Sequence, residues 1–268
     1  MSTIEVPRRP AVLSRIAAAS WDTADVAGRN LLTQLRTPQA LVFALVQPVI
    51  FVLLFRYAFG GAIRIPGVSY VDYLMPGIFA QTVCFGAIGT AVGLSADVRS
   101  GLLVRLRTLP MARIAVLGGR TAADLARNLA VVAVMTGVGF AAGFRTAQGA
   151  AGLLAALGLV LAFAYAASWA FAALGLRVSD PEAAQAAGVP VVFLLVFTSS
   201  AFVPVSSMPG WLQAVGAHQP VNALVNAERA LILGGPAARD VLIAVAWTAG
   251  ILAAATILSA RIYARMSR

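Results

Sequence analysis

Apolar positions along this chain gather into six long runs separated by short, arginine-bearing stretches. The runs are 39–59, 73–95, 125–144, 150–176, 186–205 and 241–260, each near the roughly 20 mostly apolar residues that a helix needs to cross about 30 Å of hydrocarbon. The pattern predicts an all-α integral membrane protein. Its transmembrane domain covers 39–260, a segment of 1–38 precedes it, and a basic tail of 261–268 follows.

Two weaker patterns lie outside the runs. Between Val12 and Leu35, Ile16, Ala19, Thr23, Val26, Ala27, Leu31 and Leu35 recur at helical spacing while Arg15, Asp22, Asp25 and Arg29 fall mostly off the stripe, which predicts an interfacial helix with Trp21 at headgroup depth. Pro38 then turns the chain sharply into the first span. From Ser206 to Asp240, Trp211, Leu212 and Val215 predict one short amphipathic helix. Val221, Leu224, Val225 and Ala227 predict another, opened by Pro220 and closed before Gly234 and Gly235. Such helices satisfy their own backbone and so can dip into a leaflet; a surface loop would leave the apolar anchors exposed. On this reading Glu228 and Arg229 either pair or face water.

Composition strengthens the membrane reading: 60% of residues are hydrophobic and 11% charged, with mean hydropathy +0.87, too little polar surface to coat a soluble globule. There is no lysine, so all 20 basic residues are arginine. Only Arg56, Arg64, Arg145, Arg229 and Arg239 fall on one side of the six spans, Arg56 snorkelling near an end of the first. By the positive-inside rule the termini, the 97–124 connection and the connection around Arg177 are cytoplasmic, in a multi-pass protein of the cell membrane. The net charge of +10 therefore sorts by membrane side instead of forming one basic face, which argues against a nucleic-acid partner. The lone Cys84 excludes an internal disulfide and the lone His218 a histidine-based metal cluster. The first 38 residues lack a signal-peptide apolar core, and the first run reads as a retained anchor.

The longest polar interruption, Asp97 to Asp124, carries Arg99, Arg105, Arg107, Arg113 and Arg120. Leu102, Leu103, Leu106 and Leu109 stand at helical spacing, and Pro110 limits that helix to about two turns. A loop that only sets topology has no use for an apolar row; a helix seated in a partner's groove does. The order of spans, the N-terminal amphipathic segment, R-S-G-L-L-V-R-L-R-T-L-P-M-A-R (99–113), L-G-G-R-T-A-A-D-L-A-R-N (117–128) and P-G-W-L-Q-A-V-G-A-H-Q-P-V-N-A-L (209–224) together resemble the ABC-2 type exporter permeases. The resemblance is closest to the daunorubicin/doxorubicin-resistance drug-export branch. It implies that Gly101 to Arg113 is a coupling helix receiving the motion of a separate, dimeric cytosolic ATPase. The implied interface comprises Asp97, where many members carry glutamate, with Arg99, Gly101, Leu102, Arg105, Leu106, Arg107, Leu109, Pro110 and Arg113. It further implies a second permease copy or paralogue, and an extracellular re-entrant pair containing Trp211, Pro220 and Glu228 on the exit side.

No G-x-x-x-x-G-K-[ST] run is present, so ATP and Mg are expected on the partner and the chain itself is expected to be a transport subunit without catalysis or cofactor. The expected cargo is an amphipathic, drug-like or lipid-like molecule. Polar residues within the runs, Gln47, Gln81, Asn128, Thr198, Ser199 and Ser200, read first as glue between helices; Gln47, Gln81, Thr198 and Ser199 are the substrate-path candidates. Gly89 with Gly93, and Gly139 with Gly143, form G-x-x-x-G pairs that predict close helix packing within the chain. An ion-gradient-driven transporter would need carboxylates inside the membrane, whereas Asp72, Asp97, Asp124, Asp180 and Asp240 are placed at span ends by this reading. A membrane-embedded transferase would need clustered acids, histidines or a metal motif, and none is present.

Overall fold

The computed structural model of the chain describes residues 23, 26–28, 30–31, 38–59, 67–107 and 113–266. Helix α1 (Pro38–Leu54) opens on proline and continues into a π-helical turn, Phe55–Phe59. Helix α2 (Tyr70–Arg99) starts where the Ser69 hydroxyl accepts the Asp72 amide at 3.2 Å. A turn through Gly101, at φ +69°, leads to the short α3 (Leu102–Arg107). After it come α4 (Arg113–Ala141), α5 (Gly149–Arg177) and α6 (Pro181–Phe197), the last capped by Asp180 with proline at its first position. A 3-10 turn (Val205–Ser207), α7 (Gly210–Ala217), α8 (Pro220–Leu233) and α9 (Ala237–Arg265) complete the chain. The described residues contain no strand.

Four stretches are long and apolar enough to cross a membrane: Tyr70–Arg99, Val116–Ala141, Gly149–Arg177 and Ala237–Arg265. Leu45–Ala58 and Pro181–Phe197 are shorter apolar helices. Helix α2 is the axis, with 72% of its most apolar stretch buried, against 17% for α9. Exposed Val42, Val46, Ile50 and Leu53 on α1, and Leu242, Val245, Trp247 and Ile257 on α9, make an outer surface suited to lipid as solvent. The main core joins α2, α4, α5, α6 and α8 through Leu74, Ile78, Phe79, Met135, Val160, Val196, Leu224 and Val225. A second cluster at the other end of the bundle gathers Leu94, Leu103, Leu117, Trp169, Leu176 and Tyr263.

Three expectations are corrected here. The fifth apolar run does not remain helical to 205: α6 ends at Phe197, because the Thr198 and Ser199 hydroxyls bond back to the Leu194 and Val196 carbonyls and the chain turns. Phe202 then folds onto the π-helical turn that follows α1, stacked on Phe55 at 4.7 Å between ring centres. Asp124 is not at a span end. Since α4 begins at Arg113, Asp124 lies well inside it and is fully buried.

The glycine pairs also do a different job. A methyl group on Gly93 would sit 1.5 Å from Arg120 Nη2, one on Gly89 2.9 Å from Arg127 Nη1, and one on Gly139 2.5 Å from Met75 Cε. These glycines are notches for long side chains. Close backbone approach occurs instead at Gly77 against Ala201, Gly152 against Leu231, Gly175 against Ala91 and Gly216 against Thr198.

Candidate functional site

Three polar constructions interrupt the apolar bundle. At one end, α3 sends Leu103 into the second core cluster and leaves Leu102 half-buried and Arg105 exposed. At least one leucine of the expected docking row is therefore occupied within the bundle itself. Arg99 pairs with Asp180 at 3.1 Å on the surface. The side chains of Leu106, Arg107 and Arg113, and the whole of Leu109 and Pro110, lie outside the described residues, as do Trp21 and most of the N-terminal segment. Of that segment, Thr23, Val26–Gly28, Asn30 and Leu31 are helical, and Val26 seats on Gly119 of α4.

From Asp97 a ladder of charge climbs the seam between α2 and α4. Arg120 Nη1 donates to Asp97 Oδ2 at 2.7 Å, and Arg120 Nε lies 4.0 Å from Asp124 Oδ2. The Thr90 hydroxyl donates to that same oxygen at 2.7 Å. Arg127 Nη1 is 3.9 Å from Asp124 Oδ1, and its Nη2 donates to the Gly86 carbonyl at 2.7 Å. Spacings of four and three residues stack Arg120, Asp124 and Arg127 on one face of α4, and the missing side chains at Gly86, Gly89 and Gly93 make room for them on α2. Two arginines and two aspartates balance, as charges taken out of water must.

The ladder leads to a cavity of about 390 Å³ between α1, α2, α4 and α6. Gln47, Gln81, Arg127, Asn128 and Gln185 supply much of its polar wall; Phe85, Ile88, Val92, Val131 and Val189 supply apolar wall. Gln81 is 1% exposed and neither amide atom has a hydrogen-bond partner; Asn128 Nδ2 is likewise unpartnered. Buried amides are normally paired, and these are exceptions at the cavity wall. Of the four substrate-path candidates, Gln47 and Gln81 meet on this wall. Thr198 and Ser199 do not line it and bond to carbonyls at the end of α6.

The third construction joins that helix end to α8. Arg229 Nε donates to the Tyr73 carbonyl at 3.1 Å, Nη1 to the Ser200 hydroxyl at 2.9 Å, and Nη2 to the Ser200 and Ala201 carbonyls. Its guanidinium lies 3.5 Å from the centre of the Tyr73 ring. Asn222 accepts the Ser200 amide at 2.9 Å and Asn226 accepts the Ser200 hydroxyl at 3.0 Å. Burial pulls the Arg229 guanidinium down to about 10, a fall that Tyr73 and Glu228 oppose, so it stays charged at neutral pH. Glu228 neither faces water nor forms a salt bridge with Arg229. It is fully buried with both carboxyl oxygens unpartnered, and burial drives its carboxyl well above the usual range against the pull of Arg229. Pro220 opens α8 as expected, and Trp211 on α7 is 72% exposed. The roles of Arg120, Asp124, Arg127 and Arg229 escaped sequence reasoning; for the first three the readable signal was the three-and-four spacing on α4 opposite glycines repeating at the same interval on α2.

The comparisons with known proteins agree with this architecture. Residues 26–233 match the family model of the ABC-2 type transporter. Over 263 residues, 98% of this chain and 90% of the relative, the sequence is 31% identical to a daunorubicin resistance ABC transporter permease protein of Streptomyces coeruleorubidus. Over 234 residues, 85% of this chain and 82% of the relative, it is 30% identical to a probable doxorubicin resistance ABC transporter permease protein of Mycobacterium tuberculosis. A multi-helix membrane bundle with these relatives is a transport component, and the chain belongs to the ABC-2 type transporter family.

Proposed function

We propose that the chain is the permease subunit of an ATP-driven exporter that moves an amphipathic, drug-like or lipid-like molecule out of the cytoplasm or inner leaflet. A separate ATPase dimer, carrying ATP and Mg, docks on the 97–124 connection, and a second permease copy or paralogue completes the path. In this reading α1 and α6 join the four longer helices as spans. Both termini are cytoplasmic, the N-terminal segment is an interfacial elbow, and α7 with α8 forms a re-entrant pair on the far side.

The observation that carries the reading is the Arg120–Asp97 contact at 2.7 Å, continued through Asp124 to Arg127. A push on α3 reaches Asp97 at the end of α2 and is passed by charge pairs along α4 to the cavity, without crossing a soft apolar layer. Packed elements with two discrete arrangements convert such a push into alternating access. Membership of the family and the relatives' names support the transport role.

The test replaces Arg105, Arg107 and Pro110 together. Membrane insertion is expected to persist while association with the ATPase, or stimulation of its turnover by substrate, is lost; transport retained in that variant overturns the coupling role. An ion-gradient-driven transporter is the second reading, favoured by one observation, the unpartnered carboxyl of Glu228. Transport in vesicles that lack ATP but hold a proton or sodium gradient would favour it.

A further inference from the structure

From the C-terminal end of α4 we infer that the chain carries a phospholipid site, in which Arg56 and Arg145 take the phosphodiester and the adjoining apolar surface of α1 and α4 takes the acyl chains. The inference goes beyond the exporter reading and needs only that α4 spans a bilayer.

The apolar stretch of α4 ends at Ala141, so the turn that follows lies at headgroup depth. Two arginines converge on that turn from different elements. Arg56, in the π-helical turn after α1, lies over Gly143: a methyl group there would be 3.4 Å from its Nη2 and 3.7 Å from its Nη1. Arg145 donates from Nη1 to the Phe140 and Phe144 carbonyls at 3.3 and 2.7 Å, closing the end of α4 with one guanidinium nitrogen. Among the described residues neither arginine forms a salt bridge, and Arg56 Nε is buried with no hydrogen-bond partner. Asp72 meets the same turn but is engaged: its Oδ1 accepts the Arg145 backbone amide at 2.7 Å and its Oδ2 the Ser69 hydroxyl at 2.6 Å. One carboxylate against two guanidiniums leaves the turn net positive.

A half-buried guanidinium without an anion lacks the compensation that a charge drawn out of water needs. A phosphodiester supplies it, with two oxygens matching the guanidinium fork and charge-assisted bonds about twice as strong as neutral ones. The apolar border makes the occupant a lipid and not a soluble phosphate. Tyr57, beside Arg56, is 74% exposed, and Leu54 on α1 and Phe140 on α4 are exposed as well. Because α1 packs on α4, the two helices continue this surface away from the arginines through exposed Ile50 and Val134. A cation at headgroup depth, an interfacial tyrosine and apolar helix surface below them match a phospholipid from phosphate to chain.

The test titrates dioleoylphosphatidylglycerol, or a glucosyl dioleoylglycerol with the same chains and no phosphate, into the delipidated full-length chain in neutral detergent. Half-saturation is read from the rise in thermal midpoint. The phospholipid is expected to saturate at about tenfold lower concentration, the worth of one good charge-assisted hydrogen bond. Arg56→Gln is expected to remove that preference, Arg56→Lys to recover part of it, since lysine keeps the charge but not the fork, and Arg145→Gln to reduce it less than Arg56→Gln does. Arg261→Gln, on the exposed face of α9, is expected to keep it. Equal half-saturation of the two lipids by the parent overturns the inference, as does a preference retained in Arg56→Gln. So does a midpoint lowered equally by Arg56→Gln with and without lipid, which would reduce Arg56 to a partner of the α4 dipole. Loss of the preference in Arg261→Gln would show general charge attraction instead of a site, and a full rise with sodium phosphate alone would make the ligand a soluble anion; either overturns the lipid assignment. None of these readouts involves ATP or the ATPase, so the phospholipid site and the exporter reading stand or fall separately.

Discussion

Helix α2 is held at its two ends by arginines that work in opposite ways. Near its start, Arg229 reaches across from α8 to the carbonyls of Tyr73, Ser200 and Ala201, with no carboxylate in hydrogen-bond contact. From its middle to its end, Arg120 and Arg127 lie in glycine notches and meet Asp97 and Asp124, Arg127 adding one bond to the Gly86 carbonyl. Carbonyl acceptors belong to the backbone and cannot leave, so the first device fixes a turn. Carboxylate partners are side chains with rotamer freedom of their own, so the second device is not tied to the backbone in the same way. The difference separates an end fixed by backbone acceptors from one whose acceptors are mainly carboxylate side chains.

The largest effect is expected from Arg229→Ala, which strands several buried carbonyls at once. A loss of about 3 kcal/mol or more, read as a fall in thermal midpoint in detergent, would accompany it. Arg229→Lys keeps the charge but not the fork, and is expected to recover only part. Next is Asp124→Ala, which leaves Arg120 and Arg127 short of one counter-charge and is expected to cost about 2–3 kcal/mol; stability equal to the parent would show that the ladder is ornamental. A double-mutant cycle on Asp97 and Arg120, whose side chains are 23% and 16% exposed, is expected to give a coupling of about 1 kcal/mol. A coupling near zero would erase the contrast between the two ends.

Glu228→Gln is expected to have the smallest effect at acid pH, and its size depends on pH. The folded protein holds this carboxyl protonated well above the usual range through burial, so the stability tied to it is complete below the ordinary carboxylate range and is lost as pH rises towards the raised value. The variant should match the parent in acid and be the more stable of the two as pH rises. Parallel melting curves across pH would contradict the buried, protonated carboxyl.

The sequence foretold most of the helices because lipid imposes a length and composition on any span, and α2, α5 and α9 agree with their apolar runs to within a few residues. Two places were hidden. Hydropathy reports apolarity but not chain direction, so Ala201 to Val205 read as helix although Thr198 and Ser199 had already turned the chain. The charges of Arg113, Arg120, Asp124 and Arg127 lowered the apolar score of α4, and pushed its expected start to 125, although pairing across turns lets such residues sit inside a buried helix. Part of the cavity was legible: Gln47 and Gln81 stood out as amides in apolar runs. Their partners Arg127 and Asn128 were masked by belonging to a basic stretch, and the glycines that admit the arginines imitated a helix-packing motif.

Asp180 has two employments that ionic strength separates. Its Oδ2 accepts the Ala183 amide at 3.1 Å and starts α6, while its Oδ1 takes Arg99 at 3.1 Å from the end of α2. The pair with Arg99 is exposed, at 69% and 49% of the side chains, so added salt screens it over a Debye length of about 8 Å at physiological strength and less beyond. The short-range cap is far less sensitive. Raising salt therefore unties the end of α2 from α6 while leaving α6 wound, and offers a mutation-free means of asking whether that tether carries force.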